Sequence, residues 1–365
     1  MPDLLDGAPD QLAILRLSAI GDTCHVVPVL RTLQAVWPET AITWIIGRTE
    51  ATLLGDLPGV EFVSFDKREG RQAYRKLLQQ MRGRHYDVLL HLQAALRASI
   101  ASLCIPARLR LGYDRARAKD FQWLFTNARI QGEQRVHVMD SMFAFLEALG
   151  IKERVLRWDI PIPLEAQEFA ERELPPGRLL VISPCSSARW NNFRNWPAER
   201  YAAVAEEAMR KHDFHIVLTG GGTELERWYG EEIARRMTRK PLDLIGRTSL
   251  KQLLAVLQRA DVLVSPDSGP VHMATTVGTP VIGLYASSNP LRTGPYLSQQ
   301  WVVNRYPEAV QAAFGKSVEE LPWGKRVRDP DVMERILVDD VLERLERLVA
   351  AGLPRTLPPA QAQSR

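Results

Sequence analysis

The feature that most constrains this chain is an alternation of strand-like and helix-like segments that occurs twice. Short apolar segments near residues 12–17, 41–46, 60–65, 86–91 and 109–112 are separated by stretches with apolar residues at helical spacing. Strands that alternate with helices form a mostly parallel sheet with helices on both faces. The first half of the chain is therefore predicted to be a doubly wound α/β domain.

The same alternation restarts after a connector rich in proline. Residues 158–163, WDIPIP, are predicted to be extended because their two prolines disfavour helix. Strand-like segments follow near 178–183, 214–219, 262–266 and 280–285, again separated by helix-like stretches. These segments predict a second doubly wound domain. The length of the chain agrees, because 365 residues are enough for two hydrophobic cores.

These patterns define the predicted domain boundaries. We expect an N-terminal Rossmann-like domain over residues 1–163 and a second one over 164–330. The charged amphipathic segment within 331–352 is expected to form a helix that packs back on the N-terminal domain. The last residues, 353–365, are rich in proline and glutamine and are expected to form a disordered tail.

Composition narrows the class of protein. With 45% apolar residues, 25% charged residues and a formal net charge of +4, the chain has a globular composition, and nucleic acid is not an expected partner. It has no apolar run of about 18 residues and no secretory signal pattern, so we expect a cytoplasmic protein. Its 3 cysteines lie outside any CxxC or Cys/His cluster and are expected to be reduced thiols rather than zinc ligands.

Strand-to-helix loops are where a ligand is expected, because ligands of open α/β sheets bind beyond the carboxyl ends of the strands. The first such loop, LSAIGD at 17–22, places Asp22 at the start of a helix. A carboxylate there is suited to accept a proton, and it is equally suited to cap the helix. Both roles stay open for Asp22.

Two loops in the second half suit a phosphate group. In SPCSSARW at 183–190, small hydroxyl residues follow a strand and Arg194 lies close behind, although a polar connecting loop would have a similar sequence. In SPDSGPVH at 265–272, Gly269 removes the Cβ that would block a phosphate, and a helix N-terminus offers backbone N–H donors. His272, one turn into that helix, is either a packed residue or a functional one.

Two further features are ambiguous. Gly220–Gly222 lack the full GxGxxG pattern, so nicotinamide oxidoreduction is a distant alternative, and Glu224 could bind a ribose or simply favour its helix dipole. A basic run between positions 97 and 119, with one acid, Asp114, is typical of a solvated face but also suits an anionic ligand. The basic residues of the run are Arg97, Arg108, Arg110, Arg115, Arg117 and Lys119. The candidate donor loops hold no Asp-x-Asp pair, so we predict no bound metal.

In their order and spacing, these loops resemble glycosyltransferase family 9, the ADP-heptose:lipopolysaccharide heptosyltransferases. The similar strings are ILRLSAIGD at 14–22, RNWP at 194–197, the run 244–274 and GTPVIGLY at 278–285. The resemblance extends over both predicted domains, from residue 12 to residue 300. It implies a GT-B fold, in which two facing Rossmann-like domains with mostly parallel sheets have a cleft between them.

The resemblance also implies an inverting, metal-independent transfer of heptose from ADP-heptose, without a cofactor. The second domain would hold the nucleotide-sugar donor, and the first would hold an anionic, lipid-linked saccharide acceptor. Asp22 is similar to the family's catalytic base. The positions similar to the family's donor-binding residues are Ser186, Ser187, Arg194, Glu224, Thr248, Ser249, Asp267, Ser268, Gly269 and His272. On the acceptor side we expect Ser18, Gly21, Arg97, Arg115 and Arg117.

Two positions depart from the family pattern, since Cys185 stands where glycine is common and Arg194 where lysine is usual. The strings RLSAIGD, WIIGRTE and FQWLFTN resemble type I enzymes, which modify the first Kdo of the inner core, in some cases a phosphorylated Kdo. A lipid-anchored acceptor also implies peripheral contact with the inner membrane, for which the basic run is the candidate surface. Two alternatives stay open, namely another nucleotide-diphosphate sugar as the donor, and a nucleotide-sugar-binding protein without catalysis.

Overall fold

Two α/β units make up the chain. The computed structural model describes residues 4–186 and 192–356. The chain divides into Met1–Pro161 and Ile162–Arg365, so the division falls within the extended connector 158–163.

The first unit is built on a sheet of six parallel strands with helices between them. The strands are β1 (Gln11–Leu15), β2 (Ala41–Gly47), β3 (Glu61–Phe65), β4 (Tyr86–His91), β5 (Ala107–Gly112) and β6 (Ala128–Arg129). The helices are α1 (Ile20–Val36), α2 (Arg48–Leu54), α3 (Arg71–Gln80), α4 (Leu96–Ser102) and α5 (Val138–Ala148). The strand order is β3-β2-β1-β4-β5-β6, so its direction reverses between β1 and β4, where a ligand site is expected.

Helix α1 forms the centre of the first unit's core. Cys24, Val27 and Leu30 have no exposed surface, as expected for a helix that is apolar on nearly all sides. Burying each large apolar side chain contributes roughly 1.5–3 kcal/mol. The connector is anchored to this helix, because Trp158 Nε1 donates a hydrogen bond to the Cys24 carbonyl at 3.0 Å.

The second unit is also built on a sheet of six parallel strands. Its strands are β7 (Arg178–Ile182), β8 (Phe214–Leu218), β9 (Leu242–Asp243), β10 (Val262–Pro266), β11 (Val281–Tyr285) and β12 (Val303–Asn304). Its helices are α6 (Leu164–Glu173), α7 (Ala198–His212), α8 (Glu224–Arg236), α9 (Leu250–Arg259), α10 (Gly269–Thr276), α11 (Pro290–Thr293), α12 (Tyr306–Phe314) and α13 (Val338–Ala350). The order β12-β11-β10-β7-β8-β9 reverses between β10 and β7.

The C-terminal helix α13 belongs to the second unit, so the expectation that it packs back on the N-terminal domain is wrong. It packs against α7, and Val341, Leu345 and Leu348 are buried in the second unit's core. The segment before it is held by Trp196, whose Nε1 donates to the Ile336 carbonyl at 3.0 Å. The apolar stripe of α13 is therefore covered by the domain that precedes it in the chain.

The first residues of the predicted disordered tail, 353–356, are part of the second unit. Arg355 donates hydrogen bonds to the Ala260 carbonyl at 3.0 Å and to Thr279 Oγ1 at 2.8 Å, so residues 353–356 pack against the second unit. The expectation of disorder came from the proline and glutamine content of the segment, and composition does not show which contacts a single arginine such as Arg355 makes. The remainder of the predicted tail, 357–365, lies outside the described residues.

Candidate functional site

Asp22 lies in the first turn of α1, beside the reversal point of the first sheet. Its carboxylate forms an ion pair with the guanidinium of Arg16 and lies 3.5 Å from the backbone N–H of Ala19. The Asp22 side chain is 36% exposed, so solvent and small molecules reach it. The geometry is compatible with both roles that the sequence leaves open, helix capping and proton transfer.

Arg16 fixes the orientation of the Asp22 carboxylate. It is buried, and its Nη1 donates to the Leu92 carbonyl at 2.5 Å. An ion pair with one partner held in the protein interior is less screened than a pair at the surface. Sequence reasoning did not select Arg16, although a charged residue inside the apolar string LAILRL is a signal that could have done so.

A cavity of about 240 Å³ opens at the carboxyl ends of β1, β2, β3 and β4. Ser18 and Arg97, both expected on the acceptor side, line it. Gln93 braces the same wall, since its side chain accepts from the Leu17 N–H at 2.7 Å and donates to Ser18 Oγ at 3.1 Å. The cavity also contains three cationic side chains that sequence reasoning did not select, Arg48, Lys67 and Arg68.

Two carboxylates balance these cations in part. Asp66 pairs with Arg48 at 3.0 Å, and the Arg68 N–H and then Arg48 lower the pKa of Asp66. Glu50 is buried, and burial raises its pKa against the opposing effects of its own N–H, Lys67 and Arg16. Position 47 requires glycine, because a Cβ there would lie 2.1 Å from the Leu17 carbonyl oxygen. With four cationic and two acidic side chains, the cavity is suited to an anionic ligand.

The other expected acceptor residues lie elsewhere in the first unit. Gly21 is buried in the first turn of α1. The Arg115 guanidinium lies over the ring of Trp123 at 5.4 Å, beside a separate cavity of about 470 Å³. Arg117 pairs with Asp114 at 2.7 Å and is nearly buried. The structure thus brings Ser18 and Arg97 together, but places Arg115 apart from them and uses Arg117 within the fold.

In the second unit, Asp267 is the centre of a cluster beside the reversal point of the sheet. It is buried, and Arg194 Nη1 lies 3.2 Å from its carboxylate and 3.0 Å from its carbonyl oxygen. Ser288 Oγ donates to the same carboxylate at 2.9 Å. Asp267 therefore holds Arg194 in place at the start of α10.

The residues after Asp267 form the first turn of α10. Ser268 Oγ lies 2.9 Å from Ser265 Oγ, and Gly269 is the first residue of the helix. His272 is buried in the same helix. The first backbone N–H groups of a helix have no partner within it, so this turn offers donors for phosphate oxygens.

Two asparagines tie Ser186 to Arg194. The Ser186 hydroxyl and the Arg194 N–H donate to Asn192 Oδ1 at 2.8 and 3.2 Å, and the Ser186 N–H donates to Asn195 Oδ1 at 2.9 Å. Sequence reasoning missed both asparagines, although the amide-rich string NNFRN at 191–195 is a detectable signal. Ser187 lies outside the described residues.

Glu224, Thr248 and Ser249 lie on two loops that touch. A Cβ on Gly222 would lie 2.7 Å from the Cα of Gly246, so only glycine permits this approach. Glu224 is exposed at the start of α8. The Ser249 hydroxyl accepts from an N–H in the first turn of α9 at 3.2 Å, so it already serves as a helix cap. Thr248 is half-buried beside it.

Metal-ligating chemistry has little support in the part of the chain that the structure describes. There, no group of three or more His, Cys, Asp or Glu side chains could hold a metal ion. Burial raises the pKa of both Cys24 and Cys185 to about 12, so these thiols stay protonated and are weak ligands and weak nucleophiles. Metal independence stays a prediction.

Known proteins resemble this chain in sequence and in fold. Residues 74–323 match the family described as Glycosyltransferase family 9 (heptosyltransferase). A Haemophilus influenzae relative named lipopolysaccharide core heptosyltransferase OpsX is 39% identical over 94% of this chain and 99% of its own length.

Two solved structures are similar to the whole two-unit chain. The glycosyl transferase family 9 protein from Veillonella parvula aligns with a TM-score of 0.74 and 24% identity, over 94% of this chain and 97% of its own. The E. coli heptosyltransferase WaaC with ADP aligns with a TM-score of 0.69 and 18% identity, over 92% of this chain and 99% of its own. The predicted fold class, two Rossmann-like domains of the GT-B type, is confirmed.

The imidazole of His91, at the end of β4, is expected to make the stability of the fold depend on pH. Burial, and then Arg110 and Arg16, lower its pKa from 6.5 to about 3. The unfolded chain therefore binds this proton at higher pH than the folded chain, and His91 makes the folded state less stable as pH falls from 6.5 towards 3. The loss approaches about 1.4 kcal/mol per pH unit.

His91→Gln should remove this part of the acid sensitivity. The measurement is urea unfolding of the wild type and the variant at several pH values, because the effects of shared carboxylates cancel in the difference between the two. Parallel curves of unfolding free energy against pH would contradict the prediction.

Proposed function

The chain belongs to glycosyltransferase family 9, the heptosyltransferases, and from this premise we propose that it transfers heptose from ADP-heptose to Kdo of the lipopolysaccharide inner core. The observation that carries the proposal is a division of chemistry between the units. The first has an accessible carboxylate, Asp22, and a cation-lined cavity. The second has an arginine fixed at a helix N-terminus.

The second domain is suited to hold the donor's diphosphate. Arg194 supplies a fixed positive charge, Ser186 a hydroxyl and the start of α10 backbone N–H groups. These groups would stabilise the charge that develops as the nucleoside diphosphate leaves. The similarity in fold to a heptosyltransferase solved with ADP supports this role. Glu224 and the loop of Thr248 are the proposed contacts to the nucleoside.

The first domain is suited to hold the acceptor. Kdo carries a carboxylate, and the cavity's excess of cations, Arg97 among them, favours an acidic sugar. A phosphate on the same sugar would increase this attraction. The similarity to a lipopolysaccharide core heptosyltransferase supports an acceptor of the inner core.

Asp22 is the proposed general base. The acceptor hydroxyl attacks the anomeric carbon of the heptose, its proton passes to the Asp22 carboxylate, and the bond from that carbon to the diphosphate breaks. A single displacement of this kind inverts the configuration at the anomeric carbon. Cationic side chains and helix N–H groups would neutralise the leaving group, so we propose a reaction that does not depend on a metal ion.

We also propose that the first domain contacts the inner membrane from its cytoplasmic side. Leu96 and Ile100 in α4 and Leu103, the residue directly after it, lie at helical spacing and are exposed, as are Phe121 and Leu124. The two groups adjoin, because the Leu96 N–H donates to the Asp120 carboxylate at 3.1 Å. Among the described residues, no helix is both long and apolar enough to cross a bilayer.

Charges around this apolar face favour anionic lipid. Asp120 is engaged by the start of α4 and Asp114 by Arg117, whereas Arg97 and Arg115 are exposed. Exposed cations beside apolar side chains suit a bilayer surface that carries negative charge. Arg110 is not part of the basic surface, since its guanidinium donates to backbone carbonyls such as that of Ile105 at 2.8 Å.

The transferase proposal is tested with ADP-heptose and Kdo-lipid A, with and without a phosphate on Kdo, by weighing the product. Asp22→Asn should lower turnover by about 10²–10⁴ and leave the affinity for ADP unchanged. Asp10→Asn is the matched control, since Asp10 is an exposed carboxylate at the opposite end of β1. A folded Asp22→Asn variant with wild-type turnover would eliminate the base.

Thermal unfolding with a panel of nucleotides, measured beside the transfer assay, distinguishes the alternatives. Stronger thermal protection by UDP or GDP than by ADP would indicate another donor. Nucleotide binding without turnover of any donor sugar would indicate a binding protein.

The membrane proposal predicts binding to phosphatidylglycerol vesicles that weakens as salt increases. Phe121→Ser together with Leu124→Ser should reduce this binding, whereas Trp228→Ser, which changes another exposed aromatic residue but in the second unit, should not. The measurement is co-sedimentation with vesicles. Equal binding to phosphatidylcholine vesicles, or no loss of binding in the double variant, would contradict the proposed membrane contact.

A further inference from the structure

A short basic segment, KRVR at 325–328, lies beside the Asp267 cluster and has no role in the function proposed so far. The Val327 N–H donates to the Ser287 carbonyl at 2.9 Å, and the Ser287 hydroxyl donates back to the Val327 carbonyl at 2.9 Å. The next residue, Ser288, donates to the Asp267 carboxylate. These contacts tether the segment to the loop that holds Asp267 and, through it, Arg194.

Arg292 brings another positive charge to the same place. It lies on α11, and a Cβ on Gly324 would come within 3.3 Å of its Nε. The side chain of Arg292 therefore packs against the backbone at the start of the basic segment. Two loops, at 194 and at 324–328, and helix α11 place their arginines near one buried aspartate.

The positive charge of the arginines near Asp267 exceeds the negative charge beside them. Arg326 stays accessible to solvent, yet the surrounding protein, then Arg194, and to a smaller extent Arg292 and Arg328, lower its pKa. Asp267 opposes this shift, but its carboxylate is already engaged by Arg194 and Ser288. No carboxylate among the described residues forms an ion pair with Arg326. An excess of like charge at one place in a folded protein is stabilised by a bound anion.

We propose that Arg326 binds the diphosphate of the donor nucleotide and, together with Arg194, stabilises the departing nucleoside diphosphate. The inference rests on the proposed function and adds a residue outside the strings that resemble the family. As the bond between the anomeric carbon and the diphosphate oxygen breaks, its electron pair stays on the diphosphate. Arg326 supplies charge to that oxygen cluster, while the proton of the acceptor hydroxyl goes to Asp22.

Lys325 provides a matched control within the same segment. Its ammonium group lies 4.8 Å from the centre of the Phe314 ring, so it is engaged in a cation–π contact with that ring. Its backbone carbonyl accepts from Tyr306 Oη, a bond that a side-chain substitution leaves in place. Lys325→Gln and Arg326→Gln thus remove the same charge from adjacent positions.

The test compares affinities for ADP and AMP, measured by calorimetry on the full chain. A hydrogen bond between charged groups is worth about 1.5–3 kcal/mol, so Arg326→Gln should weaken ADP binding by roughly 10- to 100-fold. AMP binding should change much less, because AMP lacks the second phosphate. Arg326→Lys should recover part of the loss, and Lys325→Gln should bind both nucleotides as the wild type does.

Three results would overturn the inference. A folded Arg326→Gln variant could bind ADP normally, or it could lose ADP and AMP equally, which would mean a structural role. It could also lose affinity for phosphorylated Kdo-lipid A while keeping that for ADP, which would assign Arg326 to the acceptor. If the selective loss of ADP binding is seen but the wild type transfers no heptose, the diphosphate site stands and the transferase proposal fails.

Discussion

The chemistry proposed for this protein depends on two aspartate–arginine ion pairs at the carboxyl ends of parallel strands. Arg16 orients Asp22 in the first unit, and Asp267 holds Arg194 in the second. Both pairs lie where the strand order of their sheet reverses. Neighbouring loops separate at such a point and leave room for a ligand. Burial gives the two carboxylates different roles. The Asp22 side chain is 36% exposed and accessible to an acceptor hydroxyl, whereas that of Asp267 is 9% exposed and serves to position Arg194.

Much of the fold could be predicted from the sequence, because long strands and helices carry their own period. The buried strands β1 and β10 were found in this way, as was the reuse of one α/β pattern in two domains. The strands β6, β9 and β12 were missed, since two residues are too few to show alternation. The partner of α13 was predicted wrongly, because an apolar stripe shows that a helix is covered but not which surface covers it.

Sequence reasoning selected candidate residues where a single loop contains them, as with Asp22 and the string from Asp267 to His272, and their roles stay predictions. The site was not predictable where residues distant in sequence meet. Arg16 acts through a contact with Leu92, 76 residues away, and Arg326 is brought near Asp267 by the Ser287 hydrogen bonds. Only part of the basic run remains a candidate surface. Arg110 and Arg117 are satisfied inside the fold, and a count of charges cannot show which of them face solvent.

The division of labour between the domains is the central claim, and hydrogen–deuterium exchange of the full chain with each substrate alone tests it most directly. ADP should slow amide exchange in three loops of the second unit, at 183–186, 246–249 and 265–272. Kdo-lipid A should slow exchange in loops of the first unit, at 17–22, 47–50, 65–68 and 93–97. Protection of the first unit's loops by ADP, with no change in the second unit, would contradict the account.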